Sequence, residues 1–136
     1  LSYLGLDQLL VQHLSGLQQL MDSNFYLFVV VLYAIILVVR FALSINATIV
    51  IIATIFLPLA GASGINMWVV GFIVLTLSES FVLPYQCSYY VMFKSLNKPK
   101  SLYDEGSFLK FNLLVCLFRL AAVLLSIPVW QAMEIL

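Results

Sequence analysis

Apolar segments alternate with short polar ones along the chain, and the first two apolar segments form the most distinctive pattern. At about 1.5 Å per residue, Phe25–Leu43 would make a helix roughly 28 Å long, and Thr48–Ala60 one of roughly 20 Å that a proline and a glycine end. Between them lies the sequence Ser-Ile-Asn-Ala-Thr at 44–48. The pattern predicts a helical hairpin over 24–61 with a polar tip at 44–48, re-entrant because its second arm is too short to cross a bilayer. The alternative is a spanning helix whose small polar residues contact a neighbouring helix.

The segments on either side of this hairpin also have periodic patterns. Residues 1–23 place leucines opposite glutamines, which predicts an amphipathic lead-in helix along the membrane interface. Asp22, Ser23 and Asn24 can then cap the following helix. Residues 67–96 are predicted to form a transmembrane helix that is broken near 84–88, because proline donates no backbone hydrogen bond and clashes with the preceding turn.

A polar loop at 97–107 separates this broken helix from a final transmembrane helix at 108–134. The lysines in or beside the loop are Lys94, Lys98, Lys100 and Lys110. By the positive-inside rule, they predict a cytoplasmic loop and a C-terminus on the outer side of the membrane.

Composition makes the membrane assignment firm. The 136 residues are 64% hydrophobic and 9% charged, with a mean hydropathy of +1.13. These values predict an all-α integral membrane protein of the cell or inner membrane, with lipid as its surroundings. The charges balance to zero without a basic stripe, so nucleic acid is not an expected partner. Since the chain begins with Leu1, we expect it to be part of a longer protein.

Two successive breaks in apolar helices suggest a binding site. Secondary transporters use such breaks, because half-helix N-termini attract anions while unwound carbonyls and polar side chains coordinate sodium. The candidate residues for substrate or ion binding are Ser44, Asn46, Ala47, Thr48, Pro84, Gln86, Cys87 and Ser88. For the second break alone, a structural proline kink is the alternative. The chain has no catalytic triplet, phosphate-binding glycine loop or metal motif, so we do not expect an enzyme.

Charged residues inside the apolar segments are the other candidates. Glu79 is a candidate coupling residue, either as a proton carrier or as a cation ligand. Alternatively, nearby serines hold it by hydrogen bonds, or a basic residue such as Arg119 pairs with it. Arg40 and Arg119 could each neutralise a substrate anion, pair with a carboxylate, or extend toward the interface.

Several short motifs resemble the divalent-anion sodium symporters of the ion-transporter superfamily, which carry dicarboxylates, citrate or sulfate. The matching stretches are Gly5-Leu6 with its leucine-rich helix, residues 44–48, Leu-Pro-Leu-Ala at 57–60, Phe-Val-Leu-Pro at 81–84 and Phe-Leu-Lys-Phe at 108–111. The resemblance implies the C-terminal part of a cation-coupled, alternating-access anion transporter that contains the second of two inverted repeats. It also implies a homodimer, a site shared with the remainder of the transporter chain, a small anionic substrate, and sodium near Ser44, Asn46 and Cys87.

Two departures from this family pattern motivate a second hypothesis. Ile45 stands where the family has its asparagine, and Cys87-Ser88-Tyr89-Tyr90 replaces Thr-Pro-Pro-Asn. A chain with these changes could be a non-transporting membrane sensor or subunit with the same fold. Ligand-dependent stabilisation without transport would distinguish it from the transporter.

Overall fold

The computed structural model describes residues 6–97 and 104–136, and all regular structure in those ranges is helical. The helices are α1 (Leu6–Ser23), α2 (Phe25–Ala42), α3 (Ile45–Ala62), α4 (Met67–Ser78), α5 (Ser88–Asn97) and α6 (Glu105–Ala132), with a 3-10 turn at Pro84–Gln86. Among the described residues, α2, α3 and α6 are each long and apolar enough to cross a membrane. The predicted all-α membrane fold is therefore confirmed.

The second arm of the hairpin is longer than predicted. It begins at Ile45, passes through Pro58 and ends at Ala62, so α3 has 18 residues, the same number as α2. A proline removes one backbone hydrogen bond, and membrane helices tolerate this when the rest of the helix is intact. The prediction of a short second arm, which was the reason for expecting a re-entrant hairpin, is therefore wrong.

The first break is also narrower than the polar tip predicted at 44–48. Only Leu43 and Ser44 leave helical geometry, with ψ angles of 155° and 165°. Asn46, Ala47 and Thr48 lie in the first turn of α3. The break is thus a two-residue link between two full helices.

Helix α2 lies at the centre of the bundle. It contacts α1, α3, α4 and α6, while α3 makes its most extensive contact with α4. The inward face of α2 is fully buried at Phe28, Val29, Leu32 and Ile36. The ring of Phe28 lies 5.9 Å from that of Phe56 on α3. At its start, Asn24 accepts a hydrogen bond of 3.2 Å from the backbone N–H of Leu27, which confirms the predicted cap. This packing holds the C-terminal end of α2 against the rest of the bundle.

The second break begins earlier than Pro84 alone predicts. Helix α4 ends at Ser78, and the backbone is irregular from there until α5 starts at Ser88, apart from the 3-10 turn. Proline disturbs the turn that precedes it, back to about residue 80. It therefore does not account for the helix ending at Ser78, and contacts with other elements must hold this segment.

The predicted terminal segments lie partly outside the described residues. Residues 1–5 of the lead-in helix and residues 98–103 of the lysine loop, with Lys98 and Lys100, are among those not described. The predicted loop at 97–107 is too long at both ends, because Asn97 is the last residue of α5 and Glu105 is the first residue of α6. A salt bridge of 3.0 Å joins Lys94 to Glu105 across this connection.

Candidate functional site

The two breaks meet at one cavity of about 870 Å³. Its wall combines the end of α2 and the start of α3, the irregular segment after α4, the start of α5, and one residue of α6. These lining residues are Ala42, Leu43, Ser44, Ile45, Asn46, Glu79, Phe81, Tyr85, Gln86, Cys87, Ser88, Tyr89, Val91 and Arg119. The chain therefore brings together two segments that are about forty residues apart in sequence.

At the first break, the predicted site residues separate into two groups. Ser44 and Asn46 line the cavity, and the hydroxyl of Ser44 makes no capping hydrogen bond, so its oxygen is not engaged in the helix start. Thr48 is fully buried, and its hydroxyl donates to the carbonyl of Ser44 at 2.9 Å. Ala47 is half-buried within the first turn of α3 and is not among the lining residues. Ser44 and Asn46 are thus the polar groups that this break offers to a ligand.

At the second break, Gln86, Cys87 and Ser88 line the cavity, while the side chain of Pro84 lies outside the described part of the structure. The Gln86 Oε1 atom accepts hydrogen bonds from the backbone N–H groups of Val82 at 2.8 Å and Leu83 at 2.9 Å. These bonds satisfy donors that no helix pairs. The cysteine is a buried free thiol. Sulfur is a soft ligand and sodium a hard cation, so the oxygens of Ser44 and Asn46 fit a sodium ion but the Cys87 side chain does not.

Arg40 connects the two breaks. Its guanidinium donates to the carbonyls of Leu43 at 3.3 Å, Ser80 at 3.3 Å and Gln86 at 3.0 Å. Leu43 caps the C-terminus of α2, and Ser80 lies just beyond the end of α4. From the sequence, Arg40 was expected to neutralise a substrate anion, pair with a carboxylate or extend toward the interface. In the structure its hydrogen-bond partners are backbone carbonyls. An arginine in the last turn of a helix is a sequence signal for the contact with Leu43, but not for those with Ser80 and Gln86.

Arg119 and Glu79 form an ion pair at the edge of the cavity. Arg119 Nη1 lies 3.1 Å from Glu79 Oε2 and also donates to the carbonyl of Thr76 at 3.0 Å. The pairing was one of the alternatives for Glu79. The Glu79 side chain is 62% exposed in the structure.

The helix ends give the cavity a polarity. Helices α3 and α5 begin at Ile45 and Ser88, so their N-termini lie at the cavity wall. Each N-terminus carries roughly half a positive elementary charge. The opposite ends, the C-terminal carbonyls after α2 and α4, are occupied by Arg40. With the Glu79–Arg119 pair neutral, the charges around this cavity favour an anion.

Comparison with known proteins identifies the family. A family model described as "Tripartite ATP-independent periplasmic transporter, DctM component" matches residues 4–84, which is more than half of the chain. The match runs from α1 through the first break and ends within the second. Neither the curated proteins nor the solved structures that were compared gave a match.

This match confirms the resemblance to a transporter family, and with the membrane-spanning helices it makes the protein an integral membrane protein. It does not support the narrower assignment to the divalent-anion sodium symporters. The chain belongs to the family of DctM components of tripartite ATP-independent periplasmic transporters.

Proposed function

We propose that this chain supplies one half of the substrate and ion site of a cation-coupled secondary transporter for small anions. The observation that carries the proposal is the cavity of about 870 Å³ where two helix N-termini and Arg119 come together. N-terminal N–H groups and a guanidinium are the groups that bind carboxylate or sulfate oxygens. Substrate would bind between the two breaks, and alternating access would expose it to each side of the membrane in turn.

Sodium is the proposed coupling ion, with Ser44 and Asn46 as its oxygen ligands. Ser44 has a hydroxyl that is free of capping bonds, and Asn46 is exposed to the cavity. A bound cation there would partly balance the charge of the anion and so link the two binding events. Glu79 stays a predicted proton-coupling residue, and its pairing with Arg119 is the competing role.

Partners and orientation follow from the same proposal. The family description names a component of a tripartite system, so we propose that other transporter chains and the remainder of this transporter complete the site. A homodimer remains a proposal from the resemblance alone. The lysine-rich connection at 97–107 is proposed to be cytoplasmic and the C-terminus to lie outside, in the cell or inner membrane.

The experiment is uptake by the full-length transporter, reconstituted with its partner components in proteoliposomes. Radiolabelled succinate, citrate and sulfate are offered under sodium and proton gradients. We expect uptake of one of these anions to depend on sodium. Arg119→Met should raise its KM by about tenfold to a hundredfold, because a hydrogen bond to a charged group is worth about 1.5–3 kcal/mol. The control is Thr54→Val, since Thr54 is exposed on α3 and its hydroxyl donates only to Val50, at 2.7 Å.

The buried thiol at Cys87 favours one competing function, a membrane sensor or subunit that binds an anion without moving it. Cys87 replaces a hydroxyl of the resembled family at the cavity wall, which weakens the set of oxygen ligands. A sensor would show anion-dependent thermal stabilisation with no uptake of any anion under either gradient. That result would overturn the transporter proposal.

A further inference from the structure

One side chain that makes three hydrogen bonds lies behind the cavity wall. Arg40 is 1% exposed, so its whole side chain is buried within the bundle. Its three carbonyl acceptors belong to two separate parts of the chain, Leu43 in the first break and Ser80 and Gln86 in the second. One side chain thus fixes the backbone at both breaks.

The contacts also run in the opposite direction. Gln86 Nε2 donates to the carbonyl of Arg40 at 3.3 Å, so the two residues bond each other reciprocally across 46 positions of sequence. Beside them, the hydroxyl of Tyr85 donates to the carbonyl of Phe41 at 3.3 Å. The last turn of α2 and the 3-10 turn are therefore joined by bonds from both sides.

Arginine is suited to this geometry because its planar guanidinium has five N–H donors in a fixed fork. The three carbonyls are reached from Nε, Nη1 and Nη2, one bond from each nitrogen. A lysine at this position has the same charge but only one nitrogen at the end of a flexible stem. It cannot place donors toward all three acceptors at once.

We propose that Arg40 is a positioning residue that locks the two breaks into a single unit, so that the N-termini of α3 and α5 face one anion at a fixed separation. The proposal rests on the proposed anion site. It adds a separate claim, that the two breaks move together rather than independently. The guanidinium fork provides this lock, and its reciprocal partner is Gln86.

Distances between spin labels test the lock without any substrate. The labels are placed at the exposed positions Phe41→Cys and Tyr89→Cys, one before the first break and one after the second, in full-length protein whose Cys87 and Cys116 are replaced by alanine. We expect one narrow distance distribution in this reference protein. Arg40→Met should broaden it at least about twofold, because the bonds that join the breaks are lost.

Two further variants show which bonds make the lock. Gln86→Met removes the Nε2 bond to the carbonyl of Arg40 and the two Oε1 bonds within the second break, none of which Arg40→Met removes. It should also broaden the distribution, and the double variant should be broader than either single one. The distribution in Arg40→Lys should be broad as well, since lysine retains the charge but not the fork. The control Thr54→Val should stay narrow. If Arg40→Met does not fold, Arg40→Lys carries the same test.

The outcomes decide the inference separately from the proposed function. A narrow distribution in folded Arg40→Met or Arg40→Lys overturns the lock. Uptake of radiolabelled succinate, citrate and sulfate is measured in unlabelled full-length protein that retains Phe41, Cys87, Tyr89 and Cys116. It tests whether the lock positions the anion site, and we expect the KM of the transported anion to rise about tenfold in Arg40→Lys. An unchanged KM with a broad distribution would overturn the positioning role. If the unlabelled protein with arginine at position 40 transports none of these anions, the proposed function fails, while the distance measurement still decides whether the breaks are locked.

Discussion

Replacing Gln86 by leucine should destabilise the fold through two backbone groups rather than through packing. Gln86 is 7% exposed, and its Oε1 atom accepts from the N–H groups of Val82 and Leu83 at 2.8 and 2.9 Å. Leucine has nearly the same volume but no acceptor. Gln86→Leu therefore removes the acceptor of two part-buried N–H groups of the second break.

The size of this effect follows from the cost of unsatisfied donors. Each buried polar group that loses its partner costs about 1–3 kcal/mol, so two should cost about 2–6 kcal/mol of unfolding free energy. The matched control is Gln86→Glu at a pH that protonates its carboxyl group, because the neutral group keeps an acceptor for both N–H groups and a hydroxyl donor for the Arg40 carbonyl. We expect it to lose about 0.5–1.5 kcal/mol.

Reversible unfolding in mixed detergent and SDS micelles measures both variants, with fluorescence of Trp68 and Trp130 as the signal. The reasoning predicts a large loss for Gln86→Leu and a small one for Gln86→Glu. Equal losses in the two variants would refute it, because they would show that the acceptor is not what stabilises the break. So would a loss below about 1 kcal/mol for Gln86→Leu.

Three further predictions concern charge and orientation. Glu79→Gln should leave the pH dependence of uptake unchanged, since Glu79 is an ion-pair partner in the structure; loss of pH-driven uptake with retained exchange would instead establish proton coupling. Hydrogen bonds from Ser107 lower the pKa of Asp104, the N-cap of α6, so its stabilising effect is present above about pH 3.9 and is lost as the pH falls through the lower folded value. The protection of the Ser107 amide against hydrogen exchange, corrected for the intrinsic pH dependence of exchange, should fall over the same pH range. Asp104→Asn should remove that pH dependence. Cysteines at Ala62 and Asn97 should react with an impermeant thiol reagent from opposite sides of the membrane; labelling from one side would contradict the proposed orientation.

The sequence predicted the elements well where the signal is local. Hydropathy predicted the apolar helices. A cap before α2 was predicted among three residues, of which Asn24 makes the hydrogen bond, because capping depends on the adjacent turn. The prediction that Pro58 ends the second arm was wrong, because the effect of a proline is not purely local. Whether a proline ends a helix depends on what surrounds it, and α3 continues to Ala62 with the loss of one hydrogen bond.

The candidate site was only partly predictable. Polar residues next to helix breaks pointed to Ser44, Asn46 and Ser88, and these side chains do line one cavity. The early end of α4 at Ser78 was not predictable, because Arg40 compensates the irregular backbone from a distant position, through the carbonyl of Ser80. Such long-range partners leave no periodic trace in a single sequence.

Arg40 also has an electrical consequence. Within the described residues its hydrogen bonds reach only backbone carbonyls, so its positive charge has no carboxylate to cancel it. A transporter that carries its site across the membrane field would carry this charge too, even when the site is empty. Moving one elementary charge through 100 mV changes the free energy by about 2.3 kcal/mol, or roughly fortyfold in population. The resting voltage would then bias which side of the membrane the empty site faces.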